Sequence, residues 1–420
     1  GKAFDMSNSE LSTVQVLNAT VNDGLFDMTD TAAALNGIST LTVGGTGVTN
    51  ATAGTTNSSA TFNLLGGNNA YDMNVIATGL KGGFTNNGTT NVAAGQNITF
   101  TGSSVTGAVT FTGAIGGTTV GTNVTLTTAG TAGNVGYAAV SGTGTITVTN
   151  SGAGTFDIGA ISAGVTGDVV IDVDGTVGVA TLATIAGKTV NLDVSDTIGG
   201  TTYGGAITAL NSATVALSSL QANALSINTA VASTTFTAAV TGSIRDDDIT
   251  ITGVATNTTI TASGDYGLGD DTLIIDNDVT GNAADTLTVT ATNYEFSRLL
   301  GGDAASVITG GADKDFIVTA KAAGENDIDT AIGGAGNDTY SIVDSGEADI
   351  IVEGTTISTG GTDTIQMAAA MSLEGFAYHA TTASSAVVDA SLAGIEQLVF
   401  VGTTAAVDSD QVTGLTLALN

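Results

Sequence analysis

Short apolar runs alternate with polar residues along most of this chain and predict β-strands. Segments such as 146–148 (Ile-Thr-Val) and 249–251 (Ile-Thr-Ile) place an apolar side chain at every second position, which is the period of a half-buried strand. The same pattern occurs at 97–100, 109–111, 124–126, 169–173, 190–192, 225–227, 273–275 and 287–289. Gly, Asn and Ser separate many of these segments at intervals of about 10 to 15 residues, and some intervals are about twice as long. Such spacing predicts the coils of a β-solenoid, each stacked on the next.

One turn between predicted strands carries a specific chemical pattern. Residues 333–340 (Gly-Gly-Ala-Gly-Asn-Asp-Thr-Tyr) match the calcium-binding nonapeptide G-G-x-G-x-D-x-U-x at every specified position, where U is a large apolar residue. The glycines allow a tight turn that aims carbonyl oxygens at a cation, and the aspartate supplies an anionic oxygen. Because calcium takes about six to eight oxygen ligands, neighbouring turns must stack and share ions.

Related turns lie nearby. Asp329 stands one nine-residue period before Asp338, segment 310–316 keeps two glycines and Asp315, and segment 267–273 lacks only the first glycine. The predicted turn glycines and calcium ligands are Gly267, Gly269, Asp270, Asp271, Gly310, Asp313, Asp315, Asp327, Asp329, Gly333, Gly334, Gly336 and Asp338. The alternative interpretation is a set of ordinary Gly-Asp turns between strands.

A second acidic pattern places an aspartate just before a strand. It occurs at Asp248, Asp271, Asp285, Asp349 and Asp363, and its densest cluster is 246–248. These aspartates are either further calcium ligands at coil edges or turn-capping residues. We add Asp246, Asp248 and Asp285 to the predicted ligands.

We therefore predict an all-β fold, an elongated β-solenoid or parallel β-roll with calcium-binding turns. The alternative is a series of tandem β-sandwich domains, whose strands recur at about 8 to 12 residues. We favour the solenoid because the nonapeptide forms parallel β-roll turns and the strand series runs into it without a linker.

Charge divides the chain. The 420 residues carry a formal net charge of −32, with 12 acids and 3 bases in 1–240 and 27 acids and 4 bases in 241–420. Such acidity makes nucleic acids and anionic membranes poor partners, and no window approaches the about 20 apolar residues of a membrane span. Cysteine and proline are both absent. Bound Ca2+ rather than disulfides would then stabilise the acidic part of the chain, because its carboxylates repel one another when no cation is bound.

We predict four regions. They are an N-terminal segment at 1–65 with short helical turns, a Thr/Gly/Ala-rich solenoid at 66–240, an acidic calcium-binding β-roll at 241–366, and a C-terminal region at 367–420 that includes a short helix or inserted loop at 367–380. The chain begins Gly-Lys-Ala-Phe with no signal peptide, so we expect either that export uses another route or that residues preceding Gly1 were removed.

The glycine-aspartate turns of 264–341 resemble those of the repeats-in-toxin (RTX) group of secreted bacterial proteins. More narrowly, the chain is similar to their surface-layer (S-layer) members of the Caulobacter type and to their adhesins. The resemblance implies calcium-dependent folding outside the cell and type I secretion directed by an uncleaved C-terminal signal, which 407–420 would supply. It also implies a cell-surface or extracellular location.

The composition argues against catalysis. The only histidine is His379, so no H-E-x-x-H zinc motif exists, and no serine lies in a G-x-S-x-G elbow. We predict a non-enzymatic, structural protein that assembles with copies of itself into a sheet or filament, with cell-surface polysaccharide as a further partner. The alternative is a calcium-stabilised adhesin or biofilm-matrix binding protein, which the low aromatic content of 5% disfavours.

Overall fold

The structure, a computed structural model, contains β-strands but no helix in the residues that it describes. These are residues 16–21, 25–28, 40–45, 59–62, 72–116, 121–175, 178–217, 223–229, 235–243, 245, 247–252, 257–264, 272–276, 286–292, 294, 296–300, 306–311, 314–318, 330–342, 350–352, 361–367, 371–372, 377–379, 387–388, 395, 397–400, 405–406 and 416–419. The chain divides into two compact units. Unit 1 comprises Gly1–Ala209 and Val215–Gln221, and unit 2 comprises Leu210–Thr214 and Ala222–Asn420.

The strands of unit 1 come from the first half of the chain. They are β1 (Val16–Val21), β2 (Leu25–Met28), β3 (Thr40–Gly45), β4 (Ser59–Phe62), β5 (Met73–Thr78), β6 (Gly83–Asn86), β7 (Thr90–Asn91), β8 (Ile98–Ser103), β9 (Val109–Phe111), β10 (Ile115–Gly116), β11 (Val124–Ala129), β12 (Val135–Tyr137), β13 (Val140–Ser141), β14 (Ile146–Ser151), β15 (Phe156–Ile158), β16 (Ile161–Ser162), β17 (Val169–Val173), β18 (Ala180–Leu182), β19 (Ile185–Asp193) and β20 (Thr201–Tyr203). Strand β21 (Ile207–Ala216) contributes residues to both units.

Unit 1 is a parallel β-solenoid whose central coils contain three strands each. One coil runs through β8, β9 and β10, and the next runs through β11, β12 and β13; each strand pairs in parallel with its counterpart in the next coil. Val124 pairs with Ile98 before it and with Ile146 after it, so these coils advance 26 and 22 residues along the chain. The solenoid prediction is confirmed. The sandwich alternative is wrong, because a β-sandwich consists of antiparallel sheets.

Alternate residues of the unit 1 strands fill its core. In β8 and β11, Ile98, Phe100, Val124 and Leu126 are buried, and the threonines between them face outward. Aromatic rings stack along the interior: Phe100 lies 5.3 Å from Phe84 and 4.9 Å from Phe111 between ring centroids, and Tyr137 lies 6.2 Å from Phe156. The core is therefore a continuous column between coils.

The strands of unit 2 come from the second half of the chain. They are β22 (Asn223–Thr229), β23 (Phe236–Thr241), β24 (Asp247–Thr252), β25 (Asn257–Ser263), β26 (Thr272–Asp276), β27 (Thr286–Thr292), β28 (Phe296–Leu300), β29 (Val307–Thr309), β30 (Lys314–Val318), β31 (Thr330–Ile332), β32 (Thr339–Ile342), β33 (Ile350–Val352), β34 (Thr364–Met367), β35 (Met371–Ser372), β36 (Ala377–His379), β37 (Val387–Val388), β38 (Gln397–Phe400), β39 (Ala405–Ala406) and β40 (Thr416–Leu419).

Unit 2 contains two ladders of parallel strands. One ladder joins β22, β24, β26, β28, β30, β32, β34, β38 and β40. The other joins β23, β25, β27, β29, β31, β33 and β36, and β37 is antiparallel to β36. Successive strands along the chain alternate between the ladders from β22 to β34, so each coil crosses both. The turns that connect the two ladders therefore lie at the edges of the coils, and the turn of one coil lies beside the corresponding turn of the next.

Two segments expected to contain helical turns can be described in part. The described residues of 1–65 belong to β1, β2, β3 and β4, and those of 367–380 belong to β34, β35 and β36. The remaining residues of both segments lie outside the described part of the chain.

The aromatic column of unit 1 yields a stability prediction. Phe100 is 1% exposed, so Phe100→Ala should lower the free energy of unfolding by about 3–5 kcal/mol through lost burial and a cavity. Thr99→Ala, on the outward side of the same strand, should change it by less than about 0.5 kcal/mol. Denaturant unfolding followed by circular dichroism measures both, and equal effects would contradict the assignment of Phe100 to the core.

Candidate metal centre

The turn between β31 and β32 has a backbone conformation that requires glycine at two positions. Gly334 has φ of 107° and Gly336 has φ of 125°, both in the left-handed region that L side chains rarely adopt. A Cβ on Gly334 would also overlap the carbonyl oxygen of Gly311 in the preceding coil. The glycines of the nonapeptide therefore serve both the turn and the close approach of two coils.

Three aspartates occupy the same position in three successive coils. Phe316 pairs with Thr339, which pairs with Thr364, so Asp315, Asp338 and Asp363 stand one above another just before these residues. We call these three aspartates the aspartate ladder. Their residues are only 0%, 1% and 2% exposed, respectively. Adjacent coils are about 4.8 Å apart, so three acidic groups lie close together inside the protein.

Each step of the ladder is a hydrogen bond between coils. The backbone N–H of Asp315 donates to Oδ1 of Asp338, and the N–H of Asp338 donates to Oδ1 of Asp363, both at 2.9 Å. Within its own turn, Oδ2 of Asp315 accepts the N–H of Gly311 at 2.7 Å. Carboxylates that accept backbone N–H groups form charge-assisted bonds, which are stronger than neutral ones. The strength of these bonds between coils therefore depends on the charge of the aspartates that accept them.

A glycine five residues earlier makes room for two of these carboxylates. A Cβ on Gly310 would overlap Oδ2 of Asp315, and a Cβ on Gly333 would overlap Oδ2 of Asp338 and the hydroxyl of Tyr340. At Asp315 and Asp338 the carboxylate therefore fits because the facing residue is glycine. The relation has a sequence signature, Gly-x-x-x-x-Asp.

The same relation recurs at an aspartate that the sequence analysis missed. A Cβ on Gly242 would lie 2.7 Å from Oδ2 of Asp247, whose residue is 0% exposed. The ligands predicted in this run are its neighbours Asp246 and Asp248. Asp248 is exposed on the outward side of β24, away from the interior, and Asp246 lies outside the described residues. The glycine at 242 is the signal that distinguishes Asp247 within this run.

Asp247 is held by donors from the protein. The N–H of Ser243 donates to Oδ2 at 2.5 Å, while the Ser243 hydroxyl and Nδ2 of Asn223 donate to Oδ1 at 3.0 and 2.8 Å. Burial raises the pKa of the Asp247 carboxyl, and the hydrogen bonds from Ser243 and Asn223 offset part of that rise. This copy of the turn therefore satisfies its carboxylate with N–H and O–H groups.

The turns around the ladder present oxygen atoms of the kind that calcium binds. The carbonyl oxygens of Gly311 and Gly336 accept N–H bonds across coils from Ala335 and Gly361, at 3.3 and 2.6 Å. A carbonyl oxygen has two lone pairs, so each can still contact a cation. Within the described residues, no three His, Cys, Asp or Glu side chains converge on one metal-sized position. A cation held by the described residues alone would therefore take most of its ligands from backbone carbonyls and at most two from carboxylates.

The predicted site residues fall into three groups. The structure brings together Gly310, Asp315, Gly333, Gly334, Gly336 and Asp338 at the edge of neighbouring coils. Asp248 lies apart from them on β24. The others, Gly267, Gly269, Asp270, Asp271, Asp313, Asp327, Asp329, Asp246 and Asp285, lie outside the described residues. Asp363 joins the first group, although the sequence placed it only among aspartates that precede strands.

Comparisons with known proteins identify no relative of this chain, so its function must be inferred from the fold and from this site. No protein-family model matches the chain, and neither the curated proteins nor the solved structures searched contain a match. In the part of the chain that the structure describes, no helix is long and apolar enough to cross a membrane.

The close approach at Gly334 can be tested. Gly334→Ala should lower the free energy of unfolding by more than about 1–3 kcal/mol, because it adds an overlap with the Gly311 carbonyl to the strain of a positive φ. Gly95→Ala is the matched control, since Gly95 also has a positive φ (76°) but no atom lies within 4 Å of the added Cβ. Denaturant unfolding measures both. A Gly334 effect no larger than that of Gly95 would mean that the coils are not packed as described.

Proposed function

We propose that this protein is a structural, self-assembling extracellular protein, an S-layer or surface-fibre subunit, whose folding and assembly depend on Ca2+. The observation that carries the proposal is the aspartate ladder at the edge of stacked coils in the acidic half of the chain. The RTX-type turn pattern and the single histidine of the chain support the same class of protein. Type I secretion and a cell-surface location belong to the proposal as well.

The physical argument starts from the cost of buried charge. Ionised carboxylates lose hydration on burial and repel one another at the spacing of adjacent strands, so the ladder is unfavourable when all its members are charged. A divalent cation at the turn offsets both terms and is favoured by its oxygen ligands. Binding to the folded state alone adds to the free energy of folding. Extracellular calcium modules work at about 10⁻⁴ to 10⁻³ M, which cytosolic free calcium does not reach.

The role of Asp338 can be tested with an isosteric variant. Asp338→Asn keeps an oxygen that accepts the Asp315 N–H but removes the charge. In EDTA the variant should be more stable than the wild type, because one buried negative charge is removed from between two others. In calcium it should be less stable, and half-maximal stabilisation should need about tenfold more calcium, equivalent to about 1.4 kcal/mol.

The matched control is Asp248→Asn, which removes an exposed charge from β24. It should leave the calcium dependence of thermal unfolding close to that of the wild type, because exposed charges are screened by solvent. If Asp338→Asn and Asp248→Asn respond to calcium in the same way, Asp338 is not a ligand.

Assembly is tested by titrating purified protein with calcium and then EDTA, followed by light scattering and negative-stain microscopy. The proposal predicts ordered sheets or filaments that form with calcium and dissolve with EDTA. The alternative, a calcium-stabilised adhesin or matrix-binding protein, predicts calcium-dependent folding of a protein that stays monomeric at high concentration. If neither folding nor assembly depends on calcium, the proposed function and its alternative are both contradicted.

A further inference from the structure

We propose that copies of this chain meet through one uncharged, threonine-rich face of unit 2. The inference rests on the proposed self-assembly and names the surface that performs it. The face consists of the outward-pointing residues of β23, β25, β27, β29 and β31. We call it the threonine face; its described members are Thr237, Ala239, Thr241, Asn257, Thr259, Thr261, Ser263, Thr288, Thr290, Thr292, Val307, Thr309, Thr330 and Ile332.

The parallel register arranges these residues in rows. Thr259 pairs with Thr237 on one side and with Thr288 on the other. The adjacent row runs from Thr261 to Thr290 and on to Thr309. Neighbouring strands are about 4.8 Å apart and alternate residues along a strand about 6.7 Å apart, so hydroxyl and methyl groups repeat in two dimensions. Thr237, Thr259, Thr261, Thr288 and Thr290 are exposed.

Among the described outward residues of unit 2, charge distinguishes this face from the other ladder. Residues 241–420 contain 27 acids and 4 bases, yet none of the described outward positions of these strands is charged. The other ladder of unit 2 carries Asp248 and Lys314 on its outward side, and both are exposed. Within the described residues, the threonine face therefore carries no acid, whereas the other ladder carries Asp248.

The net charge of the chain indicates which partner binds the threonine face. Two copies with a net charge of −32 each repel one another, and contact through a carboxylate-bearing surface adds local repulsion. The threonine face lets two copies come together without opposing carboxylates. Charge depletion is also the composition that marks the centre of protein interfaces. A second copy of this chain is therefore the partner that the surface fits.

Threonine suits such a contact for two reasons. Its hydroxyl both donates and accepts hydrogen bonds, so identical rows can satisfy each other. Its branched side chain has restricted χ1 freedom, so less conformational entropy is lost when the contact forms. Because the rows repeat at the strand spacing, two copies related by a two-fold axis present matching rows to each other, as an isologous interface requires.

The first test places cations on the face. Thr259→Lys with Thr290→Lys lowers the net negative charge and would favour any nonspecific association. If the two faces meet, however, the ammonium groups are buried against each other, and the concentration needed for calcium-dependent assembly should rise about tenfold or more. Thr250→Lys, on the outward side of β24, is the control and should not raise that concentration.

The second test avoids any large change of side chain. Since the wild type has no cysteine, Thr288→Cys and Thr250→Cys each introduce a unique thiol. A short thiol-reactive cross-linker should join assembled copies through residue 288 and not through residue 250. Circular dichroism in calcium checks that each variant is folded.

The outcomes separate the two proposals. A wild-type protein that stays monomeric in calcium overturns the self-assembly and this interface together. A wild-type protein that assembles, while the lysine pair behaves like its control and residue 288 does not cross-link, overturns the threonine face alone. Assembly that is lost in the lysine pair, with cross-linking at residue 288, supports it.

Discussion

The coils of unit 2 are held at one edge by carboxylates that accept backbone N–H groups from the coil before them. Asp338 receives the N–H of Asp315, and Asp363 receives the N–H of Asp338. At Asp315 and Asp338 this arrangement requires glycine at the facing position, because any side chain at Gly310 or Gly333 would occupy the space of the carboxylate. It also brings three carboxyl groups close together inside the protein. On the function that we propose, coil stacking depends on the cation that neutralises them.

Unit 1 stacks its coils by a different means. Its interior is an apolar column in which Phe100, Phe111 and Tyr137 contact one another, and the free energy of stacking comes mainly from burial and ring packing. The residues of 1–240 carry less than half as many acids as those of 241–420. On our account, unit 1 needs no cation to fold, whereas unit 2 does. On the same account, the division of charge along the chain corresponds to two different ways of stabilising a solenoid.

Much of the fold could be predicted from the sequence, because period-two alternation reports which side of a strand is buried. All ten segments singled out by that pattern, from 97–100 to 287–289, overlap strands. The pairing was harder, since nothing local says that β8, β9 and β10 together make one coil. Short strands such as β10 (Ile115–Gly116) are too brief to show a period at all.

The candidate site was predicted in part for a similar reason. The complete nonapeptide identified Asp338, and its partial copy identified Asp315. In the run 246–248, however, composition alone does not distinguish the three aspartates. Gly242, five residues before Asp247, marks that aspartate, and the register of β24 points Asp247 inward and Asp248 outward. Asp363 lacks a glycine five residues earlier, so the spacing that marks Asp247 does not mark it. Its place in the ladder follows from strand pairing, which a single sequence does not encode locally.

The most direct test of the account is amide hydrogen exchange of the whole chain in calcium and in EDTA. We predict that the amides of Asp315 and Asp338, and those of β30 and β32, are protected in calcium and exchange at least about tenfold faster in EDTA, because their stacking depends on neutralised carboxylates. The amides of β8, β11 and β14 in unit 1 should exchange at the same rate in both. Equal protection of β30 and β32 with and without calcium would contradict the account.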